Sequence, residues 1–340
     1  MNKILFLLIL LFPLLMSSCK DDDPATPQQP NPNRQYYLYI DFWNPSGTDP
    51  RISFDEENSS TEIRIDFSQT FAGIATPPNF TKVIIDNVRI IDNNFVNYKI
   101  DNITAYEFRE DIGDWKIDVE FTMNYEPVGD LNVVLVLDAS ASLDEDFLKI
   151  KEFASDFVTR IFEDNPTAQI GIVDFSDQIN SLPLTNNINE LNEYIDGIEQ
   201  GQFTTLYEAM KQGIDMLKAS QADGKAILTF TDGTDNNSDP QYTPDYLYNA
   251  LVVDTGSILI NSFTIGLEGN GGTDKVVLQK LAANGGAASF PESISQLESI
   301  FEKFSESISN VYNLTYLRNQ QVIPEEDPAK LRFVFKASPK

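Results

Sequence analysis

Histidine is absent from this sequence of 340 residues, and cysteine occurs once. The first absence removes Ser-His-Asp and Cys-His catalytic groups, histidine general bases and histidine-ligated zinc. The second removes intrachain disulfides, CxxC motifs and cysteine-rich metal sites. Any metal held by this chain is therefore held by oxygen. Cationic residues are scarce: 24 Lys and Arg stand against 52 Asp and Glu, a net charge of −28. Phosphate backbones are bound through cationic side chains that release counterions, so no nucleic-acid partner is expected. Among so many acids, spacing singles out no carboxylate pair, so no catalytic residue is named and no enzyme is expected. What is present is a globular composition, 41% hydrophobic, with room for about two domains of roughly 150 residues each.

The apolar run from Ile4 to Met16 is shorter than the ~20 residues that span a bilayer. Lys3 before it and Ser17-Ser18-Cys19 after it read as a secretory signal over residues 1–18. Leu15-Met16-Ser17-Ser18-Cys19 resembles a bacterial lipobox, with Ser18 where many have Gly or Ala. The resemblance implies that Cys19 carries lipid and anchors the mature chain to a membrane. Lys20-Asp21-Asp22-Asp23 resembles the surface-export signal of Bacteroidetes lipoproteins. It implies an outer-membrane address facing the exterior. Pro24, Pro27, Pro30 and Pro32 make residues 19–33 a semi-rigid spacer.

From Tyr36 to Tyr125 the dominant period is two. Ile63, Ile65 and Phe67 alternate with polar residues, as do Trp115, Ile117, Val119, Phe121 and Met123. Strands with one buried face, joined by turns such as Asn44-Pro45-Ser46-Gly47, predict an antiparallel β-sandwich over 34–127. From residue 131 the pattern changes. Val133–Leu137 is continuously apolar, as in a strand buried on both faces. Helical spacing follows at Phe147, Ile150, Ala154, Phe157 and Ile161. Further strands are predicted at Gln169–Phe175, Ala226–Phe230 and Leu259–Ile265. Helices are predicted at Ile188–Ile198, Leu206–Leu217, Pro244–Val253, Asp274–Ala283 and Ile294–Ile308. Alternation of this kind over 128–310 predicts an α/β domain, a doubly wound parallel sheet with helices on both faces. Two strand patterns after Asn310 are too few to bury a face alone. Residues 311–340 are expected to complete the sandwich, with the α/β domain inserted between its strands.

In an open α/β sheet, ligands bind at the carboxyl ends of the strands. Three polar segments fall there: Asp138-Ala139-Ser140-Ala141-Ser142, Thr204-Thr205-Leu206-Tyr207, and Thr231-Asp232-Gly233. Singly, each has a plain structural role, since Ser and Asp cap helices. Together and in order, they resemble the von Willebrand factor type A (vWA) family, whose Asp-x-Ser-x-Ser motif matches Asp138, Ser140 and Ser142. Phe263-Thr264-Ile265-Gly266 resembles the family's last strand. The resemblance covers about 130–310 and implies a metal-ion-dependent adhesion site. Its hydroxyl ligands would be Ser140, Ser142 and Thr204, with Asp138 and Asp232 binding directly or through water. Magnesium is the first choice of metal, manganese or calcium the others. The implied partner is a protein that offers a carboxylate to the open coordination position, its contact face basic around that acid. The oligomeric state is not indicated.

Other motifs point less far. Asp235-Asn236-Asn237-Ser238-Asp239 resembles the start of an EF-hand loop, but Pro240 replaces the needed Gly and Tyr246 the closing Glu. It is expected to be a polar loop near the metal site. Gly266–Lys275 lacks the ending of a phosphate-binding loop. Trp43, Trp115 and nearby tyrosines could form a sugar-stacking platform, although aromatics in alternating strands usually pair with one another. The alternatives to adhesion are thus a scaffold role in an envelope complex and glycan binding by the sandwich.

Overall fold

The computed structural model describes residues 34–43, 51–67, 69–75, 80–119, 121–127, 129–252, 260–268, 272–309, 311–318 and 330–340. The signal sequence, Cys19, the proline-rich spacer and the 44–47 turn lie outside these. No helix among the described residues is long and apolar enough to cross a membrane.

Ten strands form one antiparallel sheet: β1 (Tyr36–Trp43), β2 (Arg51–Phe54), β3 (Ile63–Asp66), β4 (Gln69–Ala75), β5 (Phe80–Asp92), β6 (Asn97–Arg109), β7 (Asp114–Ile117), β8 (Phe121–Pro127), β15 (Tyr312–Arg318) and β16 (Lys330–Pro339). The two layers are not separate sheets. They are continuous through β5, whose first part pairs with β4 and β15 and whose last residues pair with β3 and β6. β16 lies between β1 and β6, and β15 between β5 and β8. The core between the layers is aromatic and β-branched, with Phe42, Phe333, Phe335, Ile85 and Tyr316 fully buried. Both tryptophans carry a cation against the ring: Lys330 Nζ lies 4.3 Å from the Trp43 centroid and Arg332 Cζ 4.3 Å from that of Trp115.

One expected strand is corrected here. The alternation from Trp115 to Met123 breaks into β7 and β8, and its polarity is reversed in the middle. Val119 is 82% exposed and Ile117 59%, while Asp118 is buried. The reason is a polar network: the Tyr316 hydroxyl donates to Asp118 Oδ2 at 2.6 Å and Arg318 Nη1 at 3.4 Å. A carboxylate supplied with such donors tolerates burial that an unpaired one would not.

The rest of the chain is a second sheet with helices on both faces, β11-β10-β9-β12-β13-β14. Its strands are β9 (Leu131–Asp138), β10 (Gln169–Phe175), β11 (Ile179–Thr185), β12 (Gly224–Thr231), β13 (Asn261–Gly266) and β14 (Ala288–Ser289). All eight residues of β9 and of β12 are buried, which explains the continuous apolar run Val133–Leu137 in β9 and the largely apolar Ala226–Phe230 in β12. The sheet is mixed, not all-parallel: β11 pairs antiparallel with β10 at the edge. Pro183 lies in that strand beside a register shift, as edge strands permit.

Helices α1 (Phe147–Asp164), α2 (Ile188–Gly197) and α6 (Leu297–Ser309) cover one face. Helices α3 (Leu206–Ala219), α4 (Pro244–Val252) and α5 (Lys275–Leu281) cover the other. In α1, Phe147, Ile150, Ala154, Phe157, Val158 and Ile161 form the buried stripe of an amphipathic helix. From β9 the chain runs outward to β10 and β11 on one side, then crosses to β12, β13 and β14 on the other. The switch of direction therefore lies between β9 and β12. There the connections diverge and leave a crevice at the strand ends.

Candidate metal centre

β9 ends on Asp138 and β12 on Thr231, so the switch point places Asp138 and Asp232 at the top of adjacent parallel strands. After Asp138 the chain is tied down at once. Ala139 N–H donates to the Phe175 carbonyl at 2.8 Å, and Gly201 N–H to the Ala139 carbonyl at 2.9 Å. Gln200 Nε2 donates to the Ser140 carbonyl at 3.0 Å. Gly201 is required by close approach: a Cβ there would lie 2.4 Å from Ser176 Oγ.

A 3₁₀ turn, Ala141–Asp146, then leads into α1, anchored by buried Leu143. Asp144 within it has φ of 42° and ψ of −126°, a strained conformation for a non-glycine residue. Ser140 stands in the capping position of this turn, yet its side chain makes no capping bond. Its hydroxyl faces the crevice instead.

The five residues named from the sequence fall in one place. Ser140 Oγ and Ser142 Oγ are 3.0 Å apart. Both donate to Asp232 Oδ1, Ser142 at 2.9 Å and Ser140 at 3.4 Å. Asp138 Oδ1 accepts from Ser140 N–H at 2.8 Å, and its Oδ2 from the Thr231 hydroxyl at 2.6 Å. Thr204 approaches from the start of α3, where a methyl group on Gly233 would lie 3.4 Å from its Oγ1. Asp138, Ser140, Thr204 and Asp232 are buried, whereas Ser142 is exposed. The cluster is therefore buried except at Ser142.

Burial makes both acids harder to ionise. Desolvation raises the Asp138 carboxyl to about 6, against the lowering effect of its Thr231 and Ser140 bonds, and the nearby Asp232 charge adds to the rise. Desolvation raises Asp232 as well, opposed by its serine bonds. Among the described residues, neither acid forms a salt bridge, and no lysine or arginine is among the main causes acting on either. Two carboxylates and three hydroxyls, all hard oxygen donors, fit a divalent cation such as magnesium in donor type. Among the described residues, no three His, Cys, Asp or Glu side chains converge on a metal position. The present set holds only two carboxylates and depends on hydroxyls for the rest.

Two supporting roles were not read from the sequence. Thr231, seen there only as part of the Thr-Asp-Gly segment, orients Asp138. The 235–239 stretch, expected to be a polar loop near the metal site, turns its polar groups on the start of α3. Asn236 Oδ1 accepts from Thr204 N–H at 2.9 Å, and Asp235 Oδ1 from Tyr207 N–H at 3.2 Å. Of the glycine-rich connection 266–275, residues 269–271 lie outside the described set; Asp274 caps α5 by accepting from Val277 N–H at 3.0 Å.

Comparison with solved structures finds similar folds at low identity. BatB from Bacteroides thetaiotaomicron is 19% identical with a TM-score of 0.41, covering 52% of this chain and 98% of that one. The vWF domain of the type V pili tip protein Mfa5 from Porphyromonas gingivalis is 11% identical, with a TM-score of 0.40 and coverage of 53% and 95%. The pilus adhesin SpaC from Lactobacillus rhamnosus GG is 12% identical with a TM-score of 0.45. That match covers 84% of this chain and 44% of SpaC. Among curated proteins, none matches the sequence. The family model of the von Willebrand factor type A domain matches residues 132–303, just over half of the chain and the whole stretch that builds the crevice. The chain belongs to the von Willebrand factor type A domain family.

Proposed function

We propose that this is a surface lipoprotein that binds another protein through a divalent cation held by Asp138, Ser140, Ser142, Thr204 and Asp232. The observation that carries the reading is the convergence of two buried carboxylates, neither in a salt bridge among the described residues, with serine hydroxyls, of which that of Ser142 belongs to an exposed residue. Such an arrangement is costly on its own, because ionised carboxylates lose hydration on burial. A divalent ion would offset that cost.

The residues divide the work. Thr231 and Ser140 N–H orient Asp138, and Asp232 accepts from both serine hydroxyls. When bound, the cation supplies positive charge and a coordination position that a partner's carboxylate can take. Three of the five donors are neutral, so the charge is left partly uncompensated and attraction for an external acid remains. Magnesium is favoured by the small, all-oxygen donor set, with manganese a close substitute. No catalysis is proposed.

Lipidation of Cys19 and the Lys20-Asp21-Asp22-Asp23 sequence would hold this surface outside the outer membrane. Mass spectrometry of the membrane-extracted protein tests the anchor: acyl chains are expected on Cys19 and absent from Cys19→Ser. Calorimetric titration of magnesium into the full chain tests the site. Saturable binding is expected, lost in Asp232→Ala; heat that is unchanged in that variant would refute the assignment.

A further inference from the structure

Thr204 has both of its backbone polar groups taken by one residue. Its N–H donates to Asn236 Oδ1 at 2.9 Å, and its carbonyl accepts from Asn236 N–H at 3.0 Å. The neighbouring positions are fastened by the same loop. Asn237 Nδ2 donates to Thr205 Oγ1 at 2.9 Å, and that hydroxyl donates to the Ser176 carbonyl at 2.6 Å. Thr205 holds the capping position of α3 without capping it. The open N–H groups of the first turn are met from across the crevice instead. Asp235 Oδ1 accepts from Tyr207 N–H at 3.2 Å, and Ser238 Oγ from Glu208 N–H at 3.1 Å. Ser238 in turn donates to Asp235 Oδ1 at 2.5 Å.

This loop begins three residues after Asp232. It therefore joins one carboxylate donor and one hydroxyl donor of the proposed site into a single braced unit. A braced donor has consequences for which ion fits. Magnesium requires near-octahedral oxygen at about 2.0–2.1 Å, whereas calcium accepts six to eight oxygens at about 2.3–2.6 Å in flexible arrangements. A hydroxyl that cannot shift its backbone resists the larger ion; a hydroxyl free to retreat accommodates both.

We infer that Asn236 is a positioning residue that sets the ion selectivity of the site, bracing Thr204 for a small octahedral cation against calcium. The inference rests on the cation-binding reading above. It assigns Asn236 a role through Thr204, with no contact to the ion.

The test is calorimetric titration of magnesium chloride and of calcium chloride into the full chain and into Asn236→Ala and Asn236→Asp. The wild type is expected to prefer magnesium. Asn236→Ala is expected to weaken magnesium by about tenfold and calcium by no more than about threefold, so that the preference collapses. Asn236→Asp keeps an oxygen toward Thr204 N–H. Its added charge strengthens both ions, and the ratio is expected to stay near the wild-type value. A purely structural loop would weaken both ions alike in Asn236→Ala and leave the ratio unmoved, which overturns the inference. So would a wild type without preference for magnesium. Should Asn236→Ala fail to melt cooperatively in chelator, Asn236→Ser, too short to reach Thr204, is expected to show the same collapse. Binding of neither ion by the wild type would refute the cation site itself; binding of both with an unchanged ratio refutes the selectivity role alone.

Discussion

The two halves of the molecule bury acids in opposite ways. Among the described residues of the antiparallel sheet, the buried Asp41 and Asp118 and the half-buried Asp55 each meet an arginine. Asp41 and Asp55 share Arg332, with bonds of 2.6 to 2.7 Å, and Asp118 lies 3.4 Å from Arg318. In the α/β half, Asp138 and Asp232 meet only hydroxyls, backbone N–H groups and each other. The first arrangement is complete as it stands. The second holds negative charge that the fold does not neutralise, which marks it as a place prepared for something else. Buried acid is thus paired with arginine in one half and with neutral donors in the other, where Asp174 likewise meets the Tyr194 hydroxyl and Asn180 Nδ2; what sets Asp138 and Asp232 apart is that two such acids stand together at adjacent strand ends.

That contrast can be broken by mutation. The largest effect is expected in the sandwich: Arg332→Ala strands Asp41 and Asp55 and should cost about 3–5 kcal/mol of unfolding free energy in denaturant titration. The corresponding change at the crevice has the opposite sign. The Asp138 carboxyl lies at about 6 in the fold against 3.8 when unperturbed, so the folded state binds the proton more tightly. Its contribution is present below about pH 4 and is lost as pH rises through about 6, on the order of 3 kcal/mol in all. In chelator at pH 8, Asp138→Asn should therefore be more stable than wild type, by on the order of 1–3 kcal/mol, with the difference vanishing near pH 4.

Smaller effects sharpen the same comparison. Magnesium at a hundredfold excess over its Kd should stabilise the wild type by about 2.7 kcal/mol and leave Asp232→Ala unmoved, read as a shift in denaturation midpoint. The smallest effect belongs to Val119→Ser. At 82% exposure it should change stability by under about 0.5 kcal/mol, although alternation alone would make Val119 a core residue.

What could be read from the chain follows from how local each signal is. Strand β9 announces itself because a strand covered on both faces carries a continuous apolar run, here Val133–Leu137, and β12 does so less cleanly, with Thr229 inside its run. Asp138, Ser140, Ser142 and Asp232 were singled out because their motifs fall where such strands end, and Thr204 because its motif opens a helix. The edge strand β11 was not: no element is predicted at 179–185, where Pro183 interrupts the pattern, and pairing with β10 makes it a strand. The Trp115–Met123 pattern misled because burial there is decided by Tyr316 and Arg318, almost two hundred residues away. The 235–239 stretch was expected to be a polar loop near the metal site, but the partner of Asn236 was not legible, because Thr204 is 32 residues distant.

The most direct test of the cation site is a crystal of the full chain grown with manganese, which scatters anomalously where magnesium does not. The account predicts one anomalous peak within coordination distance of the Ser140, Ser142 and Thr204 hydroxyls, beside Asp138 and Asp232. A peak elsewhere, or a manganese-loaded crystal with no peak between those side chains, would contradict it.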